Sequence, residues 1–382
     1  MPPSSLPRGN DNGAIKERID VVERECGLKL RHIVSHSVNP SVISKNIENF
    51  IGFTQVPLGV VGPLRVKGQA ADGDFYIPLA TTEAALLATI NRGCSVLTSS
   101  GGVRVMIVRD AMTRAPVFRT EGIAHAVKVS EWVAAHLEDM REKVRHISSH
   151  ASLLSATPFI CGRTLYIRFA FRTGDAMGMN MATIASQELC DEIENSTGAK
   201  TISVSGNMCT DKKAAAINFI QGRGKTVLAE AVIPEETVER KLHTTSSSVA
   251  ETAYRKNLLG SAMSLSMGFN SHFANMAAAL FIATGQDAAQ AVDASLGIST
   301  AENTEDGLYF SVTIPSLEIG TIGGGTKLPT QREALEIMGC YGEGKAAKLA
   351  EIAGALILAG EISTLGAQSA GELAEAHRRL SR

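Results

Sequence analysis

Between residues 114 and 204 the chain alternates strand-like and helix-like segments so quickly that it needs a small core of its own. Residues 117–119 and 165–171 read as strands, and 130–147 as an exposed helix with Trp132, Val133, Leu137, Met140 and Val144 on one face. Gly174 turns the chain into a second helix over about 177–194, and 201–204 reads as a closing strand. This strand–helix–strand arithmetic predicts a compact α+β unit inserted into a larger one.

The flanking segments supply the larger unit. A helix over 14–26 and a short helix opened by Asn39-Pro40 toward Asn49 make an N-terminal segment, residues 1–50, too small to bury a core alone. Residues 51–113 read as the first part of a large domain. They hold strand-like residues 53–66 with turns at Pro57-Leu58-Gly59 and Gly62-Pro63, a helix from Thr82 to about Cys94, and a strand at 103–108. Residues 205–382 read as its second part, with a strand at 227–233, a helix at 234–242 and a strand at 308–314. Small residues dominate 245–284 and let helices pack closely, so one or two buried helices are expected there, with two or three more after a glycine-rich loop.

Composition excludes several function classes. A net charge of −2 and few aromatic residues leave neither the basic excess nor the stacking platform of a nucleic-acid binder. Six scattered cysteines without a C-x-x-C fit neither a zinc site nor a disulfide framework and point to a reducing compartment, so no metal is expected. Met1-Pro2-Pro3-Ser4-Ser5 has no apolar signal core, and the apolar run 352–360 falls far short of the roughly 20 residues of a membrane span. The expectation is a soluble, cytoplasmic protein without a membrane partner.

The run Ser205-Gly206-Asn207-Met208-Cys209-Thr210-Asp211-Lys212-Lys213 puts two mutually repelling ammonium groups in a small, neutral segment. An anion site or an oxyanion stabiliser would use them; the bland alternative is a helix capped by Thr210-Asp211 and running into Ala214-Ala215-Ala216-Ile217. Four further segments set polar groups among apolar residues or glycines. They are Ala80-Thr81-Thr82-Glu83, Asp175-Ala176-Met177-Gly178-Met179-Asn180, Gly285-Gln286-Asp287-Ala288-Ala289-Gln290 and Gly320-Thr321-Ile322-Gly323-Gly324-Gly325-Thr326. Glu83 also reads as a favourable helix-dipole charge, Asp287 as a cap, and the last loop as a plain turn or a phosphate cradle. No G-x-G-x-x-G follows a strand; Gly222-Arg223-Gly224 lacks the third glycine and precedes a strand, which argues against a Rossmann site.

Together these segments, with Glu48-Asn49-Phe50-Ile51-Gly52 before them, resemble the 3-hydroxy-3-methylglutaryl-coenzyme A (HMG-CoA) reductase family in order and approximate spacing. The resemblance covers residues 48–380 and is to the class I type, without the membrane anchor of its eukaryotic members. It implies an α+β fold, with a large domain around a long central helix and an inserted ferredoxin-like, non-Rossmann domain over 114–204 that binds the nicotinamide cofactor. It also implies a homodimer or higher homo-oligomer with the active site at the subunit interface.

The implied reaction is the two-hydride reduction of HMG-CoA to mevalonate and free coenzyme A. By resemblance, Lys212 meets the oxyanion, Glu83 is the acid, Asp287 pairs with Lys212, and His377 protonates the departing thiolate. Arg114, Ser205, Asp211, Lys213 and Asn275 match the pocket for the acyl part; Asn91, Arg92 and Lys256 match contacts to coenzyme A. Ser148, Asp175, Met177, Gly178, Met179, Asn180, Gly323, Gly324 and Gly325 match the cofactor site. NADPH is the expected cofactor, with NADH the alternative because Ser149 stands where relatives commonly carry the Arg that grips the 2′-phosphate. Alternative readings are a mevalonate-oxidising, NAD-dependent member and a non-catalytic binder of coenzyme A esters.

Overall fold

The computed structural model describes residues 6–9, 11–43 and 46–371. Its strands are β1 (Leu58–Lys67), β2 (Asp72–Ala80), β3 (Val103–Arg114), β4 (Val117–Arg119), β5 (Ser152–Cys161) and β6 (Thr164–Arg172), followed by β7 (Lys200–Ser203), β8 (Gly224–Ile233), β9 (Gly268–Phe269), β10 (Gly297–Thr304) and β11 (Gly307–Leu317). One strand joins two sheets. Residues 104–111 of β3 pair with β8, whereas Met112, Thr113 and Arg114 pair with β6.

The first sheet runs β2-β1-β3-β8-β11-β10-β9 and the second β7-β4-β6-β5, the latter antiparallel throughout. Taking β3 and β4 together as the entry strand, the second sheet has the βαββαβ succession of a ferredoxin-like fold. Its core is separate. Leu165, Ile167, Phe169 and Phe171 point one way from β6 at period two and pack with Phe118, Val133, Met140, Leu189 and Ile193.

The larger core surrounds the helix Ala346–Ser369, 24 residues long and buried along almost its whole length. A helix apolar on every side is stable only when covered on every side, and here protein covers it. Its two buried carboxylates are met by backbone amides instead of cations. Glu351 accepts from Gln69, Ala70 and Ala71 N at 3.1, 2.8 and 2.6 Å, and Glu361 accepts from Ser271 and His272 N at 2.9 and 2.7 Å.

Several expectations need correction. The helix over 130–147 is two, Ile123–Ala135 and Leu137–Ile147, broken at His136, whose Nδ1 bonds Trp132 O at 2.8 Å. Gly62-Pro63 is not a turn; the bond is cis, and β1 passes through it with an irregularity between Val61 and Leu64. The helix after Ala80 starts at Leu86, because Ala85 holds φ 69 and stops a helix from forming earlier. Near Asn39 there is only the single turn Pro40–Ile43. Of the small-residue stretch only Phe273–Thr284 is a buried helix; Ser246–Thr252 runs into a π-helical Ala253–Gly260 and ends with Met263 87% exposed. Strands β2 and β10 carry exposed polar ends that conceal their alternation, whereas β5 ends on the exposed apolar residues Ile160 and Cys161.

Candidate active site

Beyond β7 the chain crosses to the helix Ala216–Gln221 through an irregular loop in which Asn207, Thr210 and Lys212 hold φ of 64, 50 and 57. Thr210-Asp211 is therefore not a helix cap; the helix opens at Ala215 instead. Left-handed backbone costs an L-residue roughly 1–2 kcal/mol, so three such residues need support from outside the loop. A buried polar layer gives it. Arg168 Nη1 donates to Met208 O at 2.7 Å, and Asn218 Nδ2 donates to Thr210 O at 3.2 Å and to Asp293 Oδ1 at 3.0 Å. The Lys212 amide donates to Asp293 Oδ2 at 3.0 Å, and Asp211 Oδ1 receives Arg223 Nη2 and Gln290 Nε2, both at 3.0 Å.

Held this way, the Lys212 ammonium stands 2.7 Å from Asp287 Oδ2. That hydrogen bond raises the Lys212 pKa above its ordinary value, so the group is a cation at neutral pH. Burial works against ionisation of Asp211, but Arg223, Gln290 and Lys212 outweigh it and hold its carboxyl below the usual range. Burial pushes Asp293 up, and Glu318 well up, from the usual carboxylate range. Asp287 does two jobs. It begins the turn Ala288–Gln290, accepting from Ala289 N at 3.1 Å with one oxygen, while the other takes the lysine. It lies in this turn and not inside a helix.

Glu83 sits elsewhere. It lies in the loop before Leu86, its amide donates to Thr81 Oγ1, and its carboxylate accepts from Asn275 Nδ2 at 3.2 Å. Asn275 is near the start of Phe273–Thr284, whereas Asp287 follows that helix's far end. At about 1.5 Å per residue, roughly 14 Å of helix lies between Asn275 and Thr284. Within one chain the Glu83–Asn275 pair and the Lys212–Asp287 pair therefore occupy opposite ends of a helix.

A cleft of about 570 Å³ adjoins Asp287. Met177, Gly178, Met179 and Asn180 form one wall and Gly323, Gly324 and Gly325 another, so two expected cofactor segments meet. Gly178 holds φ 93, and a Cβ there would lie 2.3 Å from Thr173 Cγ2. The helix Met179–Thr197 starts from it with no side-chain cap, and its first residues line the cleft, a setting suited to phosphate oxygens. Asp175 does not line the cleft. Its carboxylate accepts from Gly344 and Ala346 N at 2.7 and 2.9 Å and ties this turn to the start of the central helix. Ser148 reaches the cleft indirectly, through Met181 Sδ at 3.8 Å.

The remaining expected residues are dispersed. Arg114 ends β3 close enough to Asp211 for its charge to lower that carboxyl, and its buried Nε has no hydrogen-bond partner among the described residues. Lys213 is exposed and donates to Asp211 O at 3.0 Å, and Ser205 lies half-buried beside Ser203. Asn91 accepts from Gly62 N at 3.0 Å; Arg92 is drawn onto Ser363 at 2.9 and 2.7 Å. Lys256 binds Asn257 Oδ1 and Ser271 Oγ, both at 3.0 Å, and burial lowers its pKa. His377 lies outside the described residues. No metal-binding cluster of His, Cys, Asp or Glu occurs among the described residues.

Arg168, Asn218, Arg223, Gln290, Asp293 and Glu318, which support the loop, were not among the expected site residues. For Arg168 and Arg223 the signal is a charged residue inside a strand or between two glycines, and Gln290 closes the segment 285–290; Asn218, Asp293 and Glu318 carry no local signal, since periodicity cannot assign them.

The sequence model of hydroxymethylglutaryl-coenzyme A reductase matches residues 14–382. The chain is similar to 3-hydroxy-3-methylglutaryl-coenzyme A reductase of Methanocaldococcus jannaschii, 50% identical with 97% of this chain and 93% of that protein covered. It is 52% identical to the Pyrococcus abyssi reductase, covering 98% of this chain and 94% of that one. Among solved structures it is similar in fold to the class II reductase of Streptococcus pneumoniae bound to NADPH, with a TM-score of 0.70 at 17% identity, covering 92% of this chain and 96% of that one.

Proposed function

The chain belongs to the hydroxymethylglutaryl-coenzyme A reductase family, and from that premise we propose how its own residues divide the reduction of HMG-CoA to mevalonate and coenzyme A. The observation that carries the reading is Lys212, an ammonium paired with Asp287, which lines the cleft. Residues 177–180 and 323–325 would hold a nicotinamide cofactor, which would supply the two hydrides, one from each of two cofactor molecules bound in turn. As the thioester carbonyl is reduced its oxygen gains negative charge, and the Lys212 ammonium stabilises it in a partly enclosed site. Asp287 aims that ammonium and keeps it protonated. Arg114, with an unspent donor, suits the substrate's carboxylate, for which a guanidinium fork is well shaped. Glu83 supplies the proton to the alkoxide, and His377 serves the leaving thiolate.

The separation of Glu83 from Lys212 along Phe273–Thr284 supports a site assembled from two copies, Glu83 from one and Lys212 with Asp287 from the other. Ser205, Asp211, Lys213 and Asn275 then hold the acyl part, and Asn91, Arg92 and Lys256 meet coenzyme A. The proposed reductant is NADPH. Arg145, His146 and His150 are exposed around Ser148, whose hydroxyl touches the cleft-lining Met181, and they offer a guanidinium and imidazole N–H donors to a 2′-phosphate. Substituting Lys212→Ala is expected to lower kcat about 10²- to 10³-fold with an unchanged circular dichroism spectrum. Turnover close to the parent's would refute the assignment.

A further inference from the structure

Arg223 has no exposed surface, and its two glycine neighbours explain how it came to be buried. Gly222 and Gly224 hold φ 70 and 73, and a Cβ at either would lie 2.7 Å from Pro315 O or 2.6 Å from Leu317 O. The start of β8 is thereby pressed against the end of β11, and the side chain between them enters the interior. There it meets Glu318 Oε1 at 2.5 Å, Asp211 Oδ1 at 3.0 Å and Asp293 Oδ2 at 3.8 Å. It also donates to Gln290 Oε1 at 3.3 Å and stands 2.7 Å from Met179 Sδ. Three carboxylates thus face this guanidinium, with Arg168 joined to the cluster through Asn218.

A desolvated ion cluster is a poor way to gain stability, since apolar residues of like volume often serve as well or better. Its geometry is better explained by what it fixes. Nη2 lies between Asp211, next to Lys212 in the strained loop, and Met179, on the wall of the cleft. Nη1 lies against Glu318, whose backbone belongs to the segment following β11. We propose that Arg223, anchored by Glu318, is a positioning residue that fixes the Asp211–Lys212 turn against the cleft wall and so sets where the Lys212 ammonium stands. This rests on the reading of Lys212 given above.

The test is Arg223→Lys in the full-length protein, which keeps the buried positive charge but cannot span Asp211, Glu318 and Met179 together. Because small misplacements of a reacting group are costly, kcat is expected to fall about 10- to 100-fold. The KM for HMG-CoA should rise by less than kcat falls, since Asp211 is one of several contacts proposed for the acyl part, and the unfolding midpoint should move by only a few degrees. A kcat within about threefold of the parent would overturn the proposal, as charge neutralisation alone would then suffice. Should the variant fail to fold, Glu318→Gln, of equal size, replaces it; there a loss of kcat without loss of folded protein supports the role and an unchanged kcat overturns it. Lys212→Ala assayed in parallel separates the two ideas. Activity surviving in Lys212→Ala refutes the lysine's role, whereas activity lost there but kept in Arg223→Lys refutes only that of Arg223.

Discussion

Lys212 owes its chemistry to neighbours that its own sequence segment does not contain. Its φ of 57 turns the backbone, Asp293 holds its amide and Asp287 holds its ammonium, so one residue is fixed at both ends. Adjacent Lys213 has no carboxylate partner among the described residues and bonds only Asp211 O, which separates two lysines that are indistinguishable in the sequence. Cofactor preference is likewise a matter of single residues. Ser149 is exposed beside the turn that touches Met181, and an arginine there adds one charge-assisted contact to a 2′-phosphate, worth about 1.5–3 kcal/mol. The parent is expected to show the higher kcat/KM with NADPH, and Ser149→Arg to widen the margin over NADH about 10- to 100-fold. A parent that prefers NADH contradicts the reading.

At the scale of elements, the molecule depends on how closely the central helix is approached. Gly93, in the helix Leu86–Ser99, packs where an added Cβ would lie 1.8 Å from Ala359 O. Backbone cannot move aside as a flexible side chain would. Gly93→Ala is therefore expected to destabilise the fold by about 3 kcal/mol, measured by denaturant unfolding. Gly122→Ala is the control, with nothing within 4 Å of the new methyl group, and should stay within about 1 kcal/mol of the parent. Near-equal values for the two would mean that the helix crossing is looser than its geometry implies. The same crossing holds Arg92 on Ser363 and Glu361 on the amides before Phe273, so the helix that fills the core also fixes residues proposed to contact coenzyme A.

For the whole molecule, the question is whether one chain suffices. Roughly 14 Å of helix between Asn275 and the end that leads to Asp287 separates Glu83 from Lys212, which is the observation behind the proposed two-copy site. Two inactive variants test this. If Glu83→Ala and Lys212→Ala chains are mixed and reassembled at random, half the dimers are mixed and each carries one intact site. Activity should return to about a quarter of the parent's. If all catalytic groups act within one chain, mixing restores nothing.

Much of this protein was legible in its sequence. Period-two alternation in β6 and β8, and the five polar segments from Glu83 to Gly325, carried the α+β organisation and the family, and three of those segments supply residues that line the cleft. Local patterns carry such features because side-chain direction and functional groups repeat at short range. The wrong readings came where local rules were overridden. Ala85 in a left-handed turn delayed a helix, His136 split another, and Gly62-Pro63 sat inside a strand. Asp175, placed by its motif at the cofactor, proved to tie down the central helix. Arg223 looked like the remnant of a failed dinucleotide motif, yet it lies at the centre of the support for the loop that carries Asp211 and Lys212. Such roles rest on contacts between residues far apart in the chain, Arg223 with Glu318 or Lys212 with Asp287. Only packing the larger sheet against one buried helix, with the smaller sheet joined to it through β3, brings those groups within hydrogen-bonding distance.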